Sequence, residues 1–255
     1  MKLIMLGSGT STGVPRIGND WGLCDPEEPR NRRTRVSVII ESDDGARLLV
    51  DTSTDLRQQL LANQIDAIDA VFWTHDHADH CHGIDDLRPI RMARHGPIPG
   101  YAADETVRRL RQRFGYVFAG QFGYPNIVAL DNLDRLRICS GISVAHLQMP
   151  HGPAESTAFR FECNGKSIGY ATDFSSFDET MVAFFSGVDL FVVDALRREP
   201  HPTHAHLAMS LDLIERAKVG RAVLTHLDKS MDYVTLQREL PSHVEPGYDG
   251  LVVAP

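Results

Sequence analysis

Thr74-His75-Asp76-His77-Ala78-Asp79-His80, running directly on from the apolar stretch Ala70-Val71-Phe72-Trp73, decides how the rest of the chain is read. Three histidines and two aspartates fall within residues 75–80, a density that packing alone does not account for. The apolar run reads as a buried strand rich in β-formers. If extended geometry persists past Trp73, His75 and His77 project to one side, because side chains alternate along a strand. Asp79 and His80 then fall in a turn leading to a helix that begins near Gly83-Ile84-Asp85-Asp86-Leu87. Four donors thus leave one strand end in two pairs, which suits two metal ions close together. The bland alternative is a polar loop with an accidental excess of histidine.

Three later positions weaken that alternative, because each is an apolar strand ending in a residue able to bind metal. Leu147-Gln148-Met149-Pro150-His151 delivers His151, Gly169-Tyr170-Ala171-Thr172-Asp173 delivers Asp173, and Ala222-Val223-Leu224-Thr225-His226 delivers His226. Each alone would be an ordinary loop residue. Together with His75, His77, Asp79 and His80 they supply nitrogen and oxygen donors without thiolate, a set that suits Zn²⁺, Mn²⁺ or Fe²⁺.

His75-x-His77-x-Asp79-His80, followed at long spacing by His151, Asp173 and His226, resembles the metallo-β-lactamase fold superfamily. The resemblance implies an α/β fold, an αββα sandwich of two mixed sheets flanked by helices, with a binuclear site along the sheet edges. It implies that His75, His77 and His151 hold one metal, that Asp79, His80 and His226 hold the other, and that Asp173 bridges them. A bridging carboxylate in place of a cysteine departs from the true β-lactamases and points to hydrolases of phosphodiesters and thioesters.

A narrower likeness rests on Gly7-Ser8-Gly9-Thr10-Ser11-Thr12-Gly13-Val14-Pro15, Val50-Asp51-Thr52-Ser53-x-Asp55-x-Arg57, His82-Gly83-Ile84-Asp85-Asp86-Leu87-Arg88 and His201-Pro202-Thr203-His204. These are similar to the phosphoribosyl cyclic phosphodiesterases of bacterial phosphonate breakdown and, more distantly, to the tRNA 3′-processing endonucleases. By that likeness His204 sits over the scissile phosphate. The phosphonate-pathway enzymes also carry a structural zinc on closely spaced cysteines and a late histidine. Here the corresponding loop has only Cys24, and Lys229 stands in the histidine's place, so two divalent ions (Zn or Mn, with Fe open) and no separate structural zinc are expected. The long RNA-gripping arm of the tRNA enzymes is not evident.

Elsewhere the chain reads as strands over 2–6, 35–41, 47–51, 98–101, 142–147, 158–163, 167–171, 189–194, 221–225 and 250–253. Helices are expected over 54–63, from Asp85 to about Arg94, and over 104–114, 176–185, 207–217 and 233–240. Asp43-Asp44-Gly45 and Asn164-Gly165 read as hairpin turns. Residues 115–135, aromatic and glycine-rich without a clear period, read as an active-site lid or covering loop. No low-complexity linker divides the chain, so residues 1–255 are taken as one domain. The glycine-rich loop after the first strand is either a phosphate cradle or a tight turn, since it lacks P-loop and dinucleotide spacing.

With 255 residues, 42% hydrophobic and 24% charged, the chain has the composition of an ordinary globular protein. No apolar run approaches the ~20 residues of a membrane span, and the first residues do not read as a signal peptide. Four scattered cysteines suit reduced thiols and a cytoplasmic setting. The net charge of −8 argues against extended nucleic-acid binding, but leaves room for a small phosphorylated substrate held by a few arginines. Arg33 and Arg35, in the basic run 30–35, and Arg197 and Arg198 are the candidates, with solvated surface charge as the equal alternative. The family likeness is compatible with a homodimer.

The expected chemistry is phosphodiester hydrolysis of a small cyclic or nucleotide-like substrate. Two ions about 3.5–4 Å apart can hold a water as hydroxide and polarise the phosphoryl oxygen. Asp173 would accept the proton of the attacking water, Asp79 would share in the catalytic centre, and His204 would act as general acid or phosphate stabiliser. For His204 the alternative is that it merely opens the helix at Leu207. Asp51 is either a hydrogen-bond acceptor for a ligand imidazole or a helix cap. His82 and Asp85 read as structural, Cys81 as a small buried residue, and His146 and His95 carry no support. The competing readings are an RNA 3′-end nuclease, a thioesterase or lactonase, and a metal-binding module without turnover.

Overall fold

A computed structural model describes residues 1–121, 123–136 and 138–255. The first half contributes β1 (Lys2–Gly7), β2 (Ser37–Glu41), β3 (Arg47–Val50), α1 (Leu56–Ala62), β4 (Ala70–Phe72), α2 (Ala78–Cys81), α3 (Arg88–Ala93), β5 (Ile98–Ala102), α4 (Asp104–Arg113), α5 (Gly115–Ala119) and β6 (Val128–Asn132). The second half contributes β7 (Ile138–Cys139), β8 (Ile142–His151), β9 (Ala154–Cys163), β10 (Lys166–Ala171), α6 (Glu179–Phe185), β11 (Leu190–Asp194), α7 (Leu207–Ala217), β12 (Arg221–Thr225), α8 (Tyr233–Glu239), β13 (Val244–Pro246) and β14 (Val252–Val253). They build two seven-stranded sheets, in the orders β14-β1-β2-β3-β4-β5-β6 and β13-β12-β11-β10-β9-β8-β7.

Each sheet starts as antiparallel hairpins and continues as parallel strands joined through helices. In the first sheet β1, β2 and β3 are antiparallel neighbours and β3 through β6 are parallel. In the second, β8, β9 and β10 are antiparallel and β10 through β13 are parallel. Parallel strands of one sheet all end on the same side, which gathers the residues that follow them into one region.

Alternation sets the layers. Leu3, Met5, Val38, Ile40 and Phe72 point into the space between the sheets, against Phe159, Phe161, Tyr170 and Val192. Phe72 meets Phe159 and Phe161 edge-on, at centroid distances of 5.6 and 6.0 Å. The intervening residues Ile4, Leu6, Ile39, Val71 and Trp73 face outward and are covered by Leu56, Leu60, Ile90 and Leu110 of the helices. On the other side Phe191, Val193, Ala222 and Leu224 pack beneath Phe185, Leu213 and Leu236. The architecture is an αββα sandwich of two mixed sheets, of the α/β class.

Four local differences from the sequence reading have physical causes. The helix expected from Asp85 to Arg94 is split into a 3₁₀ turn, Ile84–Leu87, and α3, because Pro89 lacks the N–H that a continuous helix would use. The segment 115–135 is not a lid: α5 and β6 occupy much of it, and β6 closes the first sheet by pairing in parallel with β5. Phe122, within that segment, lies outside the described residues. The strands β8 and β9 run longer than their apolar cores, meeting in a hairpin through Gly152-Pro153. Edge strand β13 was not anticipated at all, being three residues of mixed character.

The glycine-rich loop is a brace. Gly9 N–H donates to the Thr34 carbonyl (2.8 Å), Thr10 N–H to the Leu227 carbonyl (3.2 Å), and Leu227 N–H to the Ser8 carbonyl (2.9 Å). Asp249 reinforces it, accepting from the amide and hydroxyl of Ser8 (both 2.9 Å) and from the amide and hydroxyl of Thr34 (2.7 and 2.6 Å). Asp249→Ala would leave four donors without an acceptor in a half-buried place. It is expected to lower unfolding free energy by about 2–4 kcal/mol, read from urea denaturation; a change within ±0.5 kcal/mol would mean that water replaces the carboxylate.

Candidate metal centre

Six strands deliver polar side chains to one rim. β8 ends at His151 and β11 at Asp194, Asp51 and His226 directly follow β3 and β12, Asp173 stands two residues past β10, and β4 runs on toward His75 and His77. Asp79 and His80 follow on the four-residue helix α2. Three of these residues, Asp51 (φ 63°), Asp173 (φ 58°) and His226 (φ 59°), hold a left-handed backbone outside glycine. Such conformations cost energy and recur where a side chain must be aimed. The motif loop also lies close against β3's exit: a Cβ on Gly83 would come within 1.9 Å of the Ser53 carbonyl oxygen, so only glycine fits there.

The structure brings together every residue of the expected ligand set, in two groups that share one carboxylate. Asp173 Oδ2 lies 3.8 Å from His75 Nε2 and 3.7 Å from His151 Nε2. His77 Nδ1 lies 3.3 Å from His151 Nε2. The other oxygen, Oδ1, lies 3.4 Å from His80 Nε2 and 3.6 Å from His226 Nε2. Asp79 Oδ2 lies 3.3 Å from His80 Nε2 and 3.7 Å from His226 Nε2. Ligand atoms bonded to a tetrahedral ion at about 2.0–2.1 Å sit roughly 3.3 Å apart, so these spacings fit ions better than direct hydrogen bonds.

The donor atoms themselves make the same case. His75 Nε2, His80 Nε2 and His226 Nε2 are buried without a hydrogen-bond partner, a costly condition unless something else binds them. The opposite ring nitrogens of His75 and His80 do have partners, Thr74 Oγ1 at 3.0 Å and Asp51. His80 Nδ1 donates to Asp51 Oδ2 at 2.8 Å, and His151 Nδ1 donates to the Thr203 carbonyl at 2.7 Å. A donated Nδ1 proton leaves the Nε2 lone pair aimed inward. Asp51 also accepts from the amide and hydroxyl of Thr74, each at 2.8 Å. Of its two sequence-level roles, Asp51 therefore takes that of orienting His80, and Asp55 is the residue at the N-terminus of α1. The histidine and aspartate clusters fit a metal site.

Electrostatics divide the cluster. Burial would raise the Asp173 carboxyl, but the facing His226 and His80 imidazoles outweigh it and hold it well below the usual carboxylate range. Asp79 is lowered in the same way against burial, by His80 and His226. Burial opposes charge on His226, yet Asp173 and Asp194 push it up to about 10. His80 is raised despite burial by Asp173, Asp79 and Asp51. His75 and His151 go the other way, lowered first by burial.

His204 lines the same cleft. Its Nδ1 is 3.3 Å from Asp194 Oδ2 and 3.6 Å from Asp173 Oδ2, and its ring stacks on His226 at 4.8 Å. Asp194, which sequence reasoning missed, also accepts from the Asp173 amide (3.1 Å) and lies 3.6 Å from His226 Nδ1. The signal was present: Leu190-Phe191-Val192-Val193-Asp194 has the same apolar-run-then-donor form that marked Asp173 and His226. His201 stands beside His204, and His82 packs edge-on against Phe114.

The four arginines do not line this cleft. Arg33 is a correction: its guanidinium is buried, donating to the carbonyls of Met231 (2.7 Å) and Asp228 (3.4 Å) and to Asn31 Oδ1 (3.2 Å). Cys24 Sγ sits 3.8 Å from that guanidinium, and Lys229 pairs with Asp20. Arg35 is tied to Asp55 (2.9 Å) and the Ser11 carbonyl (3.1 Å). Arg197 folds back on the Glu199 and Pro200 carbonyls, and Arg198 pairs with Glu239 at 2.7 Å. All four are spent on neighbours of their own, which a residue-by-residue reading of charge cannot see.

Comparison with known proteins bears on this site. The family model for the beta-lactamase superfamily domain matches residues 46–227. The crystal structure of a diphosphatase from the PhnP family superposes with a TM-score of 0.89 at 36% identity, covering 99% of this chain and 96% of that one. Zn²⁺-bound PqqB from Methylobacterium extorquens superposes at 0.80 with 20% identity, over all of both chains, a likeness of fold. An octanoyltransferase of Porphyromonas gingivalis is 35% identical over 98% of this chain, which spans only 51% of that relative's length. No helix among the described residues is long and apolar enough to cross a membrane.

Proposed function

The chain belongs to the beta-lactamase superfamily domain family, and from that membership we propose a two-metal hydrolase of small phosphodiesters, including cyclic phosphates and nucleotide-like molecules. The observation that carries the reading is Asp173, whose two oxygens face two separate donor groups. The likeness to the PhnP-family diphosphatase supports phosphoryl chemistry. In this reading His75, His77 and His151 would hold one divalent ion, Asp79, His80 and His226 would hold the other, and Asp173 would serve both. Zinc or manganese suits the set, with iron open. Bound there, the ions would supply a nucleophile at neutral pH and offset phosphoryl charge.

The chain's own residues do the rest. Asp173, which turns one oxygen to each donor group, would fix the separation of the two ions and take the proton that the attacking water gives up. His204, oriented through Nδ1 by Asp194, presents its other nitrogen to the departing oxygen as proton donor. Asp51 and the Thr203 carbonyl fix the rings of His80 and His151. His204→Ala is expected to lower kcat by about 10²–10⁴-fold with bound metal unchanged by elemental analysis. Metal loss in that variant would show His204 to be a ligand instead.

The substrate class is tested by offering the manganese- or zinc-loaded protein a chromogenic phosphodiester, a 2′,3′-cyclic nucleotide, an octanoyl thioester and a precursor tRNA. Turnover of the diesters is expected. Turnover of the thioester alone would replace the reading with a thioesterase, and of the tRNA alone with an RNA nuclease.

A further inference from the structure

The cleft at the candidate centre is small. It holds about 160 Å³, and its lining includes His77, Asp79, Asp173, Thr203 and His204 together with Pro153 and Ala154. That is small beside the roughly 300–1,000 Å³ of typical small-molecule sites, so a substrate much larger than its reacting group extends beyond it. Pro153 and Ala154 also line a second cleft of about 610 Å³, a volume within the usual range for a small-molecule site. His204 lines the first cleft and not the second. A leaving group protonated by His204 therefore departs on the Thr203 side, and the group retained on phosphorus extends past Ala154.

We infer that this larger cleft is the subsite for the retained group and that it prefers a cationic, amine-bearing group over neutral or anionic ones; the inference rests on the phosphodiester reading above. Its lining includes the carboxylates of Asp76, Asp104, Glu105, Asp134 and Glu155 and a single guanidinium, Arg109. Arg109 is already paired with two of these carboxylates, Glu105 at 2.7 Å and Asp76 at 3.4 Å, which offset its charge. Asp76 is also met by Arg113 at 2.8 Å, and Asp134 by His146 at 3.3 Å. Among the described residues Glu155 has no such cation, and Asp104 accepts only from the neutral amide of Asn132. A second phosphate placed here would meet a lining with more carboxylates than cations, whereas an ammonium would be attracted.

The test uses three diesters with a common p-nitrophenolate leaving group and retained arms of equal length: 2-aminoethyl, propyl and 2-carboxyethyl. With manganese-loaded protein at low salt, kcat/KM is expected to be at least about tenfold higher for the aminoethyl ester than for the propyl ester, and lowest for the carboxyethyl ester. Glu155→Lys, at an exposed position, should bring the aminoethyl and carboxyethyl values to within about threefold of each other. A ratio measured within one preparation does not depend on how much of it is folded. Equal values across the series, or a fastest carboxyethyl ester, would overturn the inference and leave the phosphodiester reading standing. Cleavage of none of the three, by protein with its metal bound, would overturn both.

Discussion

Asp173→Asn is expected to lower phosphodiester turnover by roughly 10³-fold or more and to cut bound metal from two ions per chain to one or none. Asparagine is the right substitution because Asp173 holds a left-handed backbone (φ 58°), a conformation asparagine tolerates and alanine resists. The side chain keeps its size and one carbonyl oxygen. It loses the anionic pair of oxygens that face His75 and His151 on one side and His80 and His226 on the other. Folding should survive, since Ser156 bonds the main chain of Asp173 rather than its carboxylate. A folded Asp173→Asn protein with two ions bound and undiminished turnover would remove the bridge from the account.

Metal loading is expected to release about two protons per chain near neutral pH. In the metal-free protein His226 is raised to about 10 from 6.5, and His80 is raised as well, because carboxylates surround both. Both therefore carry a proton on the metal-free protein at pH 7, and an ion must displace them to reach the Nε2 atoms. Apparent affinity should rise by about tenfold per pH unit for each proton displaced. The metal-free protein behaves in the opposite way. A histidine whose folded value is raised contributes stability that is fully present below about 6.5 and is lost as pH climbs toward 10. Calorimetry in buffers of different ionisation enthalpy counts the protons. Metal binding without proton release would mean that His80 and His226 are neutral beforehand and are not competing with their carboxylates for charge.

The parts of this molecule that sequence disclosed are those written in a local pattern. His75, His77, Asp79 and His80 stand within one turn of a strand end, and Asp173 and His226 each terminate a continuous apolar run. Strand alternation and the parallel topology then carry these scattered residues to one rim. What stayed hidden depends on distant partners. Arg33 sits in a basic run that reads as surface, yet Asn31, Asp228 and Met231 enclose it, two of them from the far end of the chain. Asp249 has no motif of its own, and its role as the acceptor that ties Ser8 to Thr34 exists only in three dimensions. The edge strands β6 and β13 are short and of mixed burial, so no period announces them. Asp194 is the instructive miss, because its local pattern matched that of Asp173.

Titration of metal-free protein with Mn²⁺, following hydrolysis of a chromogenic phosphodiester against equivalents of metal bound, tests the bridged two-metal site most directly. Activity should stay low through the first equivalent, rise with the second and level off at two ions per chain. Full activity at one equivalent, or two bound ions with no cleavage of the diester, would contradict it.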